Sequence, residues 1–147
     1  MKSMVETELT LLAESIGTRL RGGECFELIG DVGAGKTTFT KALASGMGVE
    51  DDVQSPSFTI SREYDGRDEL RLSHYDFYRL ADPGVVSYEL AESIDDINMV
   101  TVIEWAETVQ NVLPVGRVVI RFEYEQDSEK RSVAIDYGTN VHLEVIK

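Results

Sequence analysis

Leu9, Leu12, Ala13, Ile16 and Leu20 recur every three or four positions, the spacing of one helical face. Thr7 is placed to cap that helix, and Gly22-Gly23 to stop it. Residues 25–29, Cys-Phe-Glu-Leu-Ile, predict a short strand running into a glycine-rich turn, and residues 37–47 a helix that ends at Gly48. The polar stretch 51–57 holds Pro56 and reads as a loop. Residues 58–64 and 70–77 read as two strands around the turn 65–68, a hairpin. Pro83 and the following Val85, Val86, Tyr88, Glu89 and Leu90 predict a short helix with proline in its first turn. Residues 99–103 are almost wholly apolar, as a strand covered on both faces must be. Residues 106–112 read as helical, and 117–124 and 131–137 as a closing strand pair around the polar turn 125–130. The three prolines, Pro56, Pro83 and Pro114, all fall at element boundaries, where a missing N–H does no harm. Strands and helices alternate, so the class is α/β: a mostly parallel central sheet with added antiparallel strands.

Composition narrows the function. A chain of 147 residues, 42% hydrophobic, suffices for one domain with its own core, so residues 1–147 are expected to form one. Fourteen Lys and Arg stand against 27 Asp and Glu, a formal net charge of −13. Such a chain repels phosphate backbones and anionic membranes, which argues against direct nucleic-acid or membrane binding. One cysteine, Cys25, excludes an internal disulfide and any multi-cysteine metal site, and fits a reducing, cytoplasmic compartment. At the start of its strand it is expected to be an inert buried thiol. No apolar run approaches a membrane span, and acids occupy the N-terminal positions that an export signal would keep apolar. His74 and His142 lie far apart without cysteine partners, so a zinc site is not expected.

The segment Gly30-Asp31-Val32-Gly33-Ala34-Gly35-Lys36-Thr37 fits the P-loop pattern, between an expected strand and an expected helix. Glycines let the backbone curl so that successive N–H groups face phosphate oxygens, and the helix start adds partial positive charge. Asp31, Val32, Gly33, Ala34, Gly35, Lys36, Thr37 and Thr38 are therefore the candidate nucleotide-binding residues. Lys36 brings a cation to the β- and γ-phosphates, Thr37 a hydroxyl ligand for Mg²⁺, and Thr38 a hydrogen bond to the α-phosphate.

Such an enzyme also needs an acid near Mg²⁺, usually at the end of a buried strand. Glu104 directly follows the apolar run 99–103, and Asp76 ends a strand of the expected hairpin. Glu104 would hold Mg²⁺ through water, and Asp76 would join that shell or orient the attacking water. A strand-end acid facing solvent is the competing account of Glu104, and a turn former or a partner for Arg79 that of Asp76. In loop 53–59, Ser55 and Ser57 are candidates to sense a γ-phosphate, against a plain proline turn. Trp105 could pack near the nucleotide, although a lone tryptophan is more often core. Glu89, Glu92, Asp95 and Asp96 form either a solvated face or a dock for a basic partner.

The P-loop, Ser-Pro-Ser-Phe-Thr at 55–59, His-Tyr-Asp-Phe-Tyr-Arg-Leu at 74–80 and Ile-Glu-Trp-Ala-Glu at 103–107 occur in that order. Together they resemble the bacterial TsaE (YjeE) ATPases of tRNA threonylcarbamoyladenosine biosynthesis, from the first helix to about Glu107. Ser57 stands where the family commonly has Thr, which keeps the hydroxyl, and Ala106 where Pro is common. The resemblance implies a P-loop NTPase-like three-layer fold and an ATPase using ATP and Mg²⁺. It implies docking on the TsaB–TsaD complex, which modifies the adenosine beside the anticodon in tRNAs reading codons that begin with A. Contact with tRNA would be indirect. It makes Lys36 and Thr37 the phosphate and Mg²⁺ residues, Asp76 and Glu104 the catalytic acids, and places Trp105 beside the site. A small-molecule P-loop kinase is the main alternative, but the stretch where its lid would lie, 82–96, holds no Arg or Lys. A GTPase would need an Asn-Lys-x-Asp segment, which the chain lacks. A non-catalytic nucleotide-binding module would leave Asp76 and Glu104 without a task.

Overall fold

A computed structural model describes residues 1–31, 33–56, 60–78, 80, 82–126 and 129–144. Among these residues seven strands form one sheet: β1 (Lys2–Met4), β2 (Cys25–Ile29), β3 (Ser61–Asp65), β4 (Arg71–Asp76), β5 (Met99–Glu104), β6 (Val118–Tyr124) and β7 (Arg131–Asp136), in the order β1-β7-β6-β2-β5-β4-β3. The central strands β6, β2, β5 and β4 run parallel, while β3, β7 and β1 add antiparallel edges. Helices α1 (Glu6–Thr18) and α2 (Lys36–Gly46) cover one face, and α3 (Gly84–Asp95) with a 3₁₀ turn (Ala106–Val109) covers the other. The result is the expected α/β sandwich of three layers.

Strand alternation sorts the side chains. Phe26, Leu28, Leu72, Val100, Val102, Val118 and Ile120 pack with Leu9, Ile16, Phe39 and Leu43 of α1 and α2. Cys25, Tyr75 and Ile103, one residue out of phase, pack with Leu90 of α3 and with Val109. Burial pushes the Cys25 thiol up to about 12, so it is the inert group expected. Among the described residues no helix is long and apolar enough to cross a membrane.

Several boundaries differ from the sequence reading. Thr7 does not cap α1; Val5 is the N-cap, and its N–H donates to the Glu8 carboxylate three residues on. Leu20 lies beyond the helix end yet is buried in the same core. Pro83 is the N-cap of α3 rather than a first-turn residue, and that helix runs twelve residues. Residues 106–112 form only a 3₁₀ turn and further turns, because Trp105 enters them in the left-handed conformation and no side chain among the described residues caps the start. The hairpin exists, with strands trimmed to β3 and β4; the expected strand positions Phe58 and Thr59 lie outside the described residues. β1 and a 3₁₀ turn at Val141–Leu143 have no counterpart in the sequence reading.

Candidate functional site

The turn between β2 and α2 is built by its backbone. Gly35 is the N-cap of α2 at φ 115°, a conformation that glycine alone adopts without strain. A Cβ at Gly33 would overlap the Tyr124 hydroxyl. The Ala34 N–H bonds the Asp31 carbonyl at 3.0 Å, tightening the curl. α2 therefore starts at Lys36, and the residues of its first turn line a cleft of about 220 Å³.

Lys36 is the centre of this cleft. It is 4% exposed, and its ammonium makes no hydrogen bond among the described residues. The ammonium lies 3.7 Å from Glu104 Oε1 and 4.0 Å from the centre of the Trp105 ring. Desolvation holds the Lys36 pKa below its ordinary range, and the charges of Glu104 and Asp76 pull in the opposite direction. A buried cation with no hydrogen-bond acceptor among the described residues, at a helix N-terminus, fits a polyanionic ligand such as a polyphosphate.

The two acids come from neighbouring strands. β4 and β5 are parallel, and Asp76 stands opposite Glu104 in register, so both carboxylates reach the same end of the sheet. Glu104 is 4% exposed, which removes the reading of a strand-end acid facing water. Its other oxygen, Oε2, is 2.6 Å from His74 Nε2. Asp76 is buried, and its Oδ1 accepts the Tyr78 N–H at 2.9 Å, the turn-forming bond anticipated as its competing account. The bond turns the chain and leaves the carboxyl on the cleft wall. Arg79 lies outside the described residues.

Gly33, Gly35, Lys36, Thr37, Thr38, Ser55, Asp76, Glu104 and Trp105 all line this one cleft. Asp31 and Ala34 line a separate groove with Arg121 and Tyr124. Val32 and Ser57 fall outside the described residues. Trp105 is half-buried, lines the cleft and packs against the core on the α3 side, with the Tyr78 ring 4.7 Å away. The sequence reading missed His74 as a site residue, and missed the wall formed by Met4, Val5, Leu9 and Arg131. Strand parity was the usable signal for His74, since it lies two residues before Asp76 and so on the same face. Among the described residues no group of three His, Cys, Asp or Glu forms a metal cage. Thr37 at the helix start and the Glu104 carboxylate offer hard oxygen donors, the type that suits Mg²⁺ shared with phosphates.

Residues 3–133 match the family model described as "Threonylcarbamoyl adenosine biosynthesis protein TsaE". The chain is 37% identical over 141 residues to the tRNA threonylcarbamoyladenosine biosynthesis protein TsaE of Bacillus subtilis, covering 92% of this chain and 84% of that one. It is 33% identical over 119 residues to the protein of the same name from Haemophilus influenzae, covering 81% and 73%. The crystal structure of Bacillus subtilis YdiB superposes with a TM-score of 0.75 at 32% identity, covering 96% of this chain and 86% of that one.

Proposed function

The chain belongs to the TsaE family, and from that premise we propose that it is a P-loop ATPase of tRNA threonylcarbamoyladenosine biosynthesis, cytoplasmic and acting with the TsaB–TsaD complex. The observation that carries the ATPase reading is the Lys36 ammonium, buried at the start of α2 beside two strand-end carboxylates. In this reading the N–H groups at Gly33, Gly35, Lys36 and Thr38 cradle the phosphates of ATP. Lys36 neutralises charge on the β- and γ-phosphates. Thr37 and Glu104 would hold Mg²⁺, which when bound would supply charge neutralisation beside the phosphates. Asp76, across the register from Glu104, orients the attacking water and receives its proton. Ser55 approaches the same cleft from the loop after α2 and offers a hydroxyl that reads the γ-phosphate.

ATP binding and turnover of the purified chain, alone and with TsaB and TsaD, test this reading. Lys36→Ala weakens ATP binding by about 2 kcal/mol, the scale of a lost charge-assisted hydrogen bond. Glu104→Ala and Asp76→Ala keep metal-free nucleotide binding and lose hydrolysis. Equal ATP affinity in wild type and Lys36→Ala by calorimetry sinks the P-loop assignment. Wild-type turnover in both acid variants sinks the assignment of the acids.

A further inference from the structure

We propose that His74 is a positioning residue that sets the orientation of the Glu104 carboxylate, an inference that rests on the ATPase reading above. His74 sits on β4 opposite Val102 of β5, two residues before the Asp76–Glu104 pair, and its side chain shares their face of the sheet. It is 1% exposed. A carboxylate only accepts, so His74 Nε2 carries the hydrogen in the 2.6 Å contact with Glu104 Oε2. The other ring nitrogen, Nδ1, is buried and has no hydrogen-bond partner among the described residues. A histidine kept to knit the core would use both nitrogens, as buried polar groups do. This ring spends its hydrogen bond on Glu104.

The consequence lies in how the carboxylate divides. Oε2 is committed to His74, and Oε1 is the oxygen that faces the Lys36 ammonium, at 3.7 Å. Without His74 the Glu104 side chain can rotate about its last bond. With His74 in place only one oxygen is offered to the cleft, in one direction. Groups of this kind behind a ligating residue are worth about 10–100-fold in metal affinity or activity in other proteins.

Three variants separate positioning from packing. His74→Gln places an amide N–H near the position of Nε2, His74→Asn stops one bond short, and His74→Phe keeps ring volume without a donor. The chain has one tryptophan, Trp105, which lies over Lys36, so its fluorescence reports ADP binding with and without Mg²⁺. In His74→Asn and His74→Phe the metal-free ADP affinity stays at the wild-type value, while the gain in affinity on adding Mg²⁺ falls about tenfold. In the same variants kcat for ATP falls about tenfold or more with KM within about threefold, and His74→Gln recovers most of both losses. Gln and Asn differ little in polarity, so their contrast stands even if the Phe variant does not fold. Wild-type Mg²⁺ dependence in Asn and Phe alike overturns the proposal. So does an equal loss of metal-free ADP affinity in all three, which would make His74 a packing residue. Failure of the ATPase reading shows separately, as absent turnover in the wild type, and the Mg²⁺-dependent affinities still decide the role of His74.

Discussion

At Trp105 the backbone adopts φ 55° and ψ 51°, a left-handed conformation that costs a bulky residue about 1–2 kcal/mol. The turn swings the indole back over Lys36 directly after Glu104 has ended β5, so one residue of strain links the acid and the aromatic cover. The ring keeps water from the ammonium, and a less screened cation attracts phosphate more strongly. Trp105→Leu therefore weakens ATP binding about 3- to 30-fold, the range of a lost cation–π contact, as titration calorimetry would measure. Unchanged affinity would reduce the indole to packing. At this scale the cleft was unevenly legible. The P-loop fixes Lys36 and Thr37 by spacing along one continuous stretch, and Glu104 stands out because an acid ends an apolar strand. His74 is thirty residues from Glu104 in sequence, and only the β4–β5 register makes them neighbours. Arg131 reaches the cleft from β7 for the same reason, at a distance that no local motif spans.

Among the elements, α1 and α2 are tied together by a side chain from the β3–β4 turn. Arg67 donates to the carbonyls of Gly17, Thr18, Leu20 and Gly46, at and beyond the C-terminal ends of both helices. A cation there supplements the weak or missing partners of carbonyls at the helix ends and complements both macrodipoles. The helices also touch at glycines, since a Cβ on Gly46 would overlap the Glu14 carbonyl. Arg67→Ala costs about 2–3 kcal/mol, the scale of charged hydrogen bonds lost from part-buried carbonyls. Gly46→Ala costs about 1–3 kcal/mol through overpacking. Urea titration should show both as a lower midpoint with unchanged slope. A midpoint within error of wild type for Arg67→Ala would mean that water replaces the clamp without loss. The apolar pattern, together with the glycine and proline stops, predicted both helices and most of the sheet, because each has a long enough run to show. It could not predict β1, whose three residues are too few to alternate and which exists only by pairing with β7. The cap of α1 went to Val5 and Glu8 rather than Thr7, a choice set by where β1 delivers the chain.

Across the whole molecule, a charge of −13 spreads a negative field that disfavours polyanions and favours basic surfaces. α3 concentrates this character. Val85 and Tyr88 are 80% and 74% exposed, beside the exposed Glu89, Glu92 and Asp95. Asp96 leaves that group, since it is held at 2.6 Å by Arg71. If the chain docks on TsaB–TsaD through this face, the carboxylates lie at the rim and act mainly on the rate of encounter. Raising salt from about 0.05 to 0.3 M then cuts the association rate about tenfold and changes dissociation by less than about twofold. Glu89→Lys combined with Glu92→Lys slows association at low salt and flattens its salt dependence, with ATP turnover of the isolated chain unchanged. Surface plasmon resonance with immobilised TsaB–TsaD, in the presence of ATP, ADP or a non-hydrolysable analogue, measures each rate. Docking should depend on which nucleotide is present, because Ser55 brings its loop to the cleft that would hold the γ-phosphate. A salt effect carried by dissociation would move the acids from the rim into the contact. Absence of docking with every nucleotide, beside tight binding of tRNA alone, would overturn the partner assignment and leave the charge of the chain unexplained.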